Sequence, residues 1–203
     1  LKRDPATKRS RPGLKFLRLG FSALNSLELG QLAQPFLTAL SAQSGRTTNM
    51  TIRDEKDIVY VARNKTQQIL SVDLQLGSRL PAYCTSMGKA QLIDLTRAEL
   101  QDLLGEGPYE KRGPNTITTL EDLVAELNRV RRQGYAINDE ELAAGLRAVA
   151  ASVRGHTERI VAAINISVPS VRVSLQELEE HLAPMVVETA HQISLTMGAR
   201  ATR

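Results

Sequence analysis

A single cysteine among 203 residues, Cys84, leaves no partner for an intrachain disulfide, and a chain of this length buries a sufficient core without one. There is no apolar run long enough to span a bilayer and no basic-then-apolar leader at the start. The expected setting is therefore cytoplasmic, away from membranes and oxidising compartments. In that setting the Asn-x-Ser/Thr triplets at Asn49, Asn64 and Asn165 are chance matches rather than glycosylation sites. No internal repeat or low-complexity tract is visible.

Catalytic and cofactor signatures are equally scarce. A phosphate-binding loop at Gly88-Lys89 would need glycine where Tyr83 stands and a hydroxyl where Ala90 stands, because amides, ammonium and metal ligand must converge on one triphosphate. No Gly-x-Gly-x-x-Gly occurs, and His181 and His191 are ten positions apart, off a common helix face, with His156 elsewhere. No metal or cofactor is expected. The acidic run Asp139-Glu140-Glu141 lacks an accompanying nucleophile or base and reads as a solvated turn. Cys84 likewise has no activating neighbour in the sequence and reads as a small buried thiol.

Charge is present but unevenly placed. Residues 1 to 18 hold seven basic side chains against Asp4 alone, although the whole chain carries only +4. The body is thus slightly acidic, and any nucleic-acid contact is expected at the basic end, through Lys2, Arg3, Lys8, Arg9 and Arg11. A solvated tail is the competing reading.

Patterning beyond that arm is mixed. Leu14, Leu17, Phe21 and Leu24 have helical spacing and suggest a connecting helix over residues 14–28. Leu29, Leu32, Phe36 and Leu40 predict a second helical face ended by Gly45, with Pro35 a kink or a new start. The β-branched runs TTNMTI and DIVYVAR flank a polar turn and predict a hairpin, and ILSVDL a further strand. SMGKAQLIDL begins a helix, Thr96-x-x-Glu99 opens another, and TLEDLVAELNRVRRQG closes at Gly134. YAIN, LRAVAASV and RIVAAINISV read as strands, and Ser174-x-x-Glu177 starts a long helix with Leu175, Leu178, Leu182, Met185 and Val186 on one face. The expected class is α/β in the α+β sense: a mixed, largely antiparallel sheet flanked by helices.

Two strings carry a family resemblance. GSRLPAYCTSMGKAQLIDL is similar to a signature of the IclR transcriptional regulators, and INDEELAAGLRAVAASV with IVAAINIS resembles the second signature, in the same order. The likeness runs over roughly residues 14–197. It implies a GAF-like or profilin-like effector-binding domain over residues 29–203, a linker helix over 14–28, and residues 1–13 as a remnant of the wing of a winged helix-turn-helix. The helix-turn-helix itself would lie before this chain. The resemblance further implies a homodimer or homotetramer, and DIVYVARNKTQQILSVDLQLGSRLPAYCTSMGKA is most similar to regulators of protocatechuate, 4-hydroxybenzoate and other β-ketoadipate-pathway compounds. Gln91 and Ser152 depart from the family pattern, replacing a small or apolar residue and a proline.

The expected partner is a small carboxylic acid, aromatic by resemblance. Free amides where the chain leaves the Pro81 step and enters a helix, at Ser86, Met87 and Gly88, suit a carboxylate, and Gly88 would permit close backbone approach. Lys89 is expected to point to solvent. Alternating strand positions would supply the opposite wall: Ala148 with Ala150, and Ala163 with Asn165 and Ser167. Arg63 and Asn138 are further lining candidates. The rival readings are a small-molecule enzyme on a similar sheet and a purely structural dimerisation module.

Overall fold

The computed structural model describes residues 2–3, 10–11, 14–65 and 74–200, with side chains from position 28 onward. Two short strands, β1 (Lys2–Arg3) and β2 (Ser10–Arg11), pair antiparallel with Lys2 opposite Arg11. Lys8 and Arg9, two of the five basic candidates, lie outside the described residues. One helix, α1, then runs from Leu14 to Ser44. The expected break at Pro35 does not occur: the proline sits on the exposed side, where the hydrogen bond its missing N–H forgoes faces water. The buried stripe is Gly30, Ala33, Leu37 and Leu40; of the expected face Leu40 lies on it, Leu29 and Phe36 are half-buried against the core, and Leu32 is exposed. Small residues win the inner face because the helix lies tight against the sheet; a Cβ on Gly30 would fall 2.5 Å from the Val61 carbonyl oxygen.

The sheet follows. β3 (Thr47–Asp54) and β4 (Asp57–Asn64) form the predicted hairpin around Glu55-Lys56. The strand expected at residues 69–74 falls almost wholly among residues outside the described set; among the described residues the edge next to β4 is β5 (Arg79–Pro81). Three helices come next, α2 (Ser86–Leu92), α3 (Arg97–Leu104) and α4 (Leu120–Gln133). The Thr96/Glu99 capping box is formed reciprocally, and Gly134 ends α4 in the left-handed region. Strands β6 (Ala136–Asp139), β7 (Leu146–Arg154) and β8 (Ile160–Pro169) complete an antiparallel sheet of order β5-β4-β3-β8-β7-β6, six strands among the described residues. The last helical stretch has three parts: α5 (Leu175–Glu177), a π turn (Leu178–Leu182) and α6 (Ala183–Thr196). The predicted capping hydroxyl, Ser174, accepts from the Glu177 amide.

The two faces of the sheet differ in chemistry, and this places the site. Val149, Ala151 and Val153 of β7 and Ala162, Ile164, Ile166 and Val168 of β8 pack against α1 and the final helices. Each fully buried aliphatic side chain there contributes about 1.5–3 kcal/mol. On the opposite face the same strands present Ala148, Ala150, Ala163, Asn165 and Ser167, small or polar groups beneath α2. Branched bulk holds one layer together, and small side chains leave room under the other. Among the described residues no helix is long and apolar enough to cross a membrane.

Candidate functional site

β4 supplies its cationic wall through an irregularity. Met50 pairs with Ala62 but Thr51 pairs with Tyr60, so Val61 is an extra residue in the ladder. Strict alternation would send Tyr60 and Arg63 to opposite faces. The bulge brings both to the face beneath α2, with Arg63 directly opposite Asn49. Arg63 donates through Nη1 to the Leu74 carbonyl, while its buried Nε has no partner among the described residues. Burial pushes the Tyr60 phenol up to about 12, against the opposing pull of Arg63, so it is neutral and able to donate.

α2 supplies the second wall. Thr85 caps it, its hydroxyl accepting from the Gly88 amide at 3.2 Å. Ser86 and Met87 form the first turn and line the cavity, and amides at these positions have no intrahelical carbonyl to meet. Gly88 does not. A Cβ there would lie 2.2 Å from the Ala82 oxygen, so this glycine serves the closeness of α2 to the chain entering it rather than the approach of a ligand. Lys89 also departs from expectation: it is 1% exposed, not on the helix surface. Its Nζ lies 3.0 Å from Glu126 Oε1 on α4 and 2.5 Å from Glu141 Oε1. The acidic run is accordingly no solvated turn, since Glu141 is buried and its Oε2 lacks a partner among the described residues. Burial raises the Glu141 carboxyl above its usual range, with Lys89 pulling it back.

Between these walls and the sheet lies a cavity also lined by Asn49, Asn138, Ala148, Asn165, Ser167, Leu74, Leu142 and Gly145 of the β6–β7 turn, and Leu146 at the start of β7. The cavity encloses about 40 Å³, room for a few waters, and opens to solvent on one side. Of the predicted lining residues, Arg63, Ser86, Met87, Asn138, Ala148, Asn165 and Ser167 meet here, whereas Gly88, Ala150 and Ala163 do not. Ala150 and Ala163 are both 0% exposed and pack in the core with Met87 and Ala90 of α2. Asn138 is committed to the protein: Nδ2 donates to the Cys84 carbonyl at 2.6 Å and Oδ1 accepts from the Glu141 amide at 3.3 Å. Cys84 is buried, its thiol pushed up to about 12 by desolvation, and is inert as a nucleophile.

Sequence reasoning missed Asn49 and Tyr60. Asn49 Nδ2 donates to Asn165 Oδ1 at 2.8 Å and reaches Ser167 Oγ at 3.4 Å, and Asn165 Nδ2 reaches Ser167 Oγ at 3.1 Å. Asn49 Oδ1 is buried without a partner among the described residues. The available signal was a polar residue in mid-strand, two positions from Thr47 and Thr51, on a run otherwise suited to a core. The family departures are used by the scaffold: Gln91 donates to Thr51 Oγ1 at 2.9 Å and Ser152 to the Ala90 carbonyl at 2.7 Å, both tying α2 to the sheet.

Residues 21–195 match the family described as bacterial transcriptional regulator IclR, C-terminal. The chain belongs to the IclR family. Its fold is the GAF-like α+β fold of that family's C-terminal domain, as in the crystal structure of Thermotoga maritima IclR (TM-score 0.80, 27% identity, 95% of this chain and 78% of that one). It is 37% identical to the Pca regulon regulatory protein of Pseudomonas putida over 88% of its own length and 62% of the relative's. The chain thus spans less than two thirds of that IclR protein. The inducer-binding domain of a PobR double mutant from Acinetobacter, solved with 3-hydroxybenzoic acid, superposes with TM-score 0.74 at 32% identity over 81% of this chain and 97% of that one. These IclR relatives are transcription regulators, which removes the enzyme reading.

Proposed function

We propose that this IclR domain senses a small carboxylic acid, aromatic in the pattern of its Pca and PobR relatives, within a ligand-responsive transcription regulator. The observation that carries the proposal is the cavity lined by both Arg63, whose Nε has no partner among the described residues, and the first turn of α2. A guanidinium and free helix amides both favour an anion, and a charge-assisted hydrogen bond is roughly twice as strong as a neutral one. Ala148 and the neutral Tyr60 would flank the ring. The enclosed room is smaller than a ring, so binding displaces wall atoms. Met87 is the adaptable element, since its unbranched side chain repacks at low cost.

The basic β1–β2 pair fits the wing of a winged helix-turn-helix preceding this chain in the whole protein, with DNA bound mainly by that domain and only weakly by Lys2, Arg3, Lys8, Arg9 and Arg11. Residues 14–28 of α1 would be the linker, and pairing of linkers and effector domains would give the homodimer or homotetramer. Because α1 continues into the part lying on β3 and β4, a ligand favouring one arrangement of the domain biases the readers through one rigid rod. Coupling of this kind amounts to about 1–3 kcal/mol. Isothermal calorimetry of the 203-residue chain with benzoate and hydroxybenzoates tests the sensing role. Binding with one acid per cavity, lost about tenfold or more in Arg63→Leu, is expected. Absence of binding by every acid, or affinity untouched by Arg63→Leu, refutes it.

A further inference from the structure

Two buried polar atoms of the cavity wall have no partner among the described residues, Asn49 Oδ1 and Arg63 Nε, and they belong to residues directly opposed across the β3–β4 ladder. They ask for opposite chemistry. Asn49 is 2% exposed, and its Nδ2 is spent on Asn165 and Ser167. The amide is thereby oriented with its oxygen as the free atom, and an amide oxygen accepts only. A carboxylate placed against it would meet two acceptors with no proton between them, so the acid group belongs with Arg63. Ser167 Oγ accepts from both asparagine amides and donates to none of the described acceptors, which leaves its own proton available beside Asn49. An acceptor next to a spare hydroxyl proton matches a group that donates and accepts at once. A hydroxyl does this, whereas an ammonium donates only and an ether accepts only.

We infer that Asn49 is the specificity-determining residue of this site, selecting acids that carry a hydroxyl donor and rejecting those in which the hydroxyl is absent or capped. The inference rests on the carboxylate-sensing role proposed above and adds the second functional group of the ligand. A site built around a hydrogen bond discriminates strongly because the analogue leaves its buried acceptor unpaired.

The test is calorimetric titration of the 203-residue chain with benzoate, the 2-, 3- and 4-hydroxybenzoates and their O-methyl ethers. At least one hydroxybenzoate is expected to bind about 10- to 100-fold more tightly than both benzoate and its own methyl ether. Asn49→Leu should bring that acid and its ether to within about threefold of one another, since the leucine matches the amide in size and offers no acceptor. Equal binding of all the acids overturns the inference and leaves the carboxylate-sensing role standing. A hydroxyl preference that survives Asn49→Leu overturns the assignment to Asn49. If no acid binds, the sensing role falls and the inference with it. The wild-type series alone decides whether a hydroxyl is selected, and Asn49→Ala supplies the variant arm where Asn49→Leu does not fold.

Discussion

Replacing Lys89 by methionine removes one charge from a buried cluster and leaves two carboxylates behind. Glu126 retains Arg129 at 2.7 Å, a partner that is more than half exposed. Glu141 keeps no cation among the described residues: its Oε2 is already without a partner there and its Oε1 loses the ammonium at 2.5 Å. Stranding a charge in this way costs about 3–5 kcal/mol, a large share of the roughly 5–15 kcal/mol that holds a domain folded. At about 2–4 °C per kcal/mol for a chain of this size, the melting temperature should fall by roughly 6–20 °C. The pH dependence identifies the cause. The folded Glu141 carboxyl is raised above its unfolded value by burial, so the folded state binds the proton more tightly, and the cost of the charge is relieved as pH falls through that raised value. Lys89 holds the rise in check, and without it relief begins at higher pH and is larger. Urea unfolding of wild type and Lys89→Met from pH 8 to pH 5 should show a gap that is widest at pH 8 and narrows on acidification. Adding Glu141→Gln should recover about half of the loss. A gap below about 1 kcal/mol, or one constant across the range, would refute the reasoning, because surface ion pairs are worth no more than that.

Two further outcomes follow from packing and burial. Gly88→Ala places a methyl 2.2 Å from the Ala82 oxygen, a backbone atom that cannot swing aside, so the variant should lose about 1–3 kcal/mol or more in chemical denaturation, although alanine is the better helix former. A neutral result would show that α2 lies further from its entry chain. Cys84 should resist a disulfide reagent at pH 8 in the folded chain and react at an ordinary rate in denaturant, since burial pushes its thiol up to about 12; rapid labelling of folded protein would contradict that burial.

Much of the scaffold was legible because it depends on local rules. Thr96 with Glu99, Gly134, the β3–β4 hairpin and the alternating β7 and β8 each announce themselves over a few residues, through capping, left-handed glycine and period-two patterning. The site was legible only in part. Ala148 and Ala150 share a strand face, yet one lines the cavity and the other lies under α2, and alternation cannot distinguish them. Tyr60 was missed because a bulge at Val61 reverses the expected face. Lys89 and Glu141 read as solvated because a charged side chain is normally so, and their pairing joins positions 52 apart in the chain. On α1 the inner face turned by one step, Leu37 lying fully inside and Phe36 half-buried, because Gly30 and Ala33 set the side on which the helix presses against the sheet.

Hydrophobic period, cap chemistry and two signature strings were enough, by themselves, to specify an antiparallel sheet between helix layers and membership of the IclR family, because such signals reside in neighbouring residues. Tertiary structure alone decided which small residues enclose empty space, which charges are buried together, and that Asn49 and Arg63 line one cavity, each with a buried hydrogen-bonding atom that has no partner among the described residues. Those facts arise from strand register and helix approach, set by contacts between segments that the linear order keeps far apart.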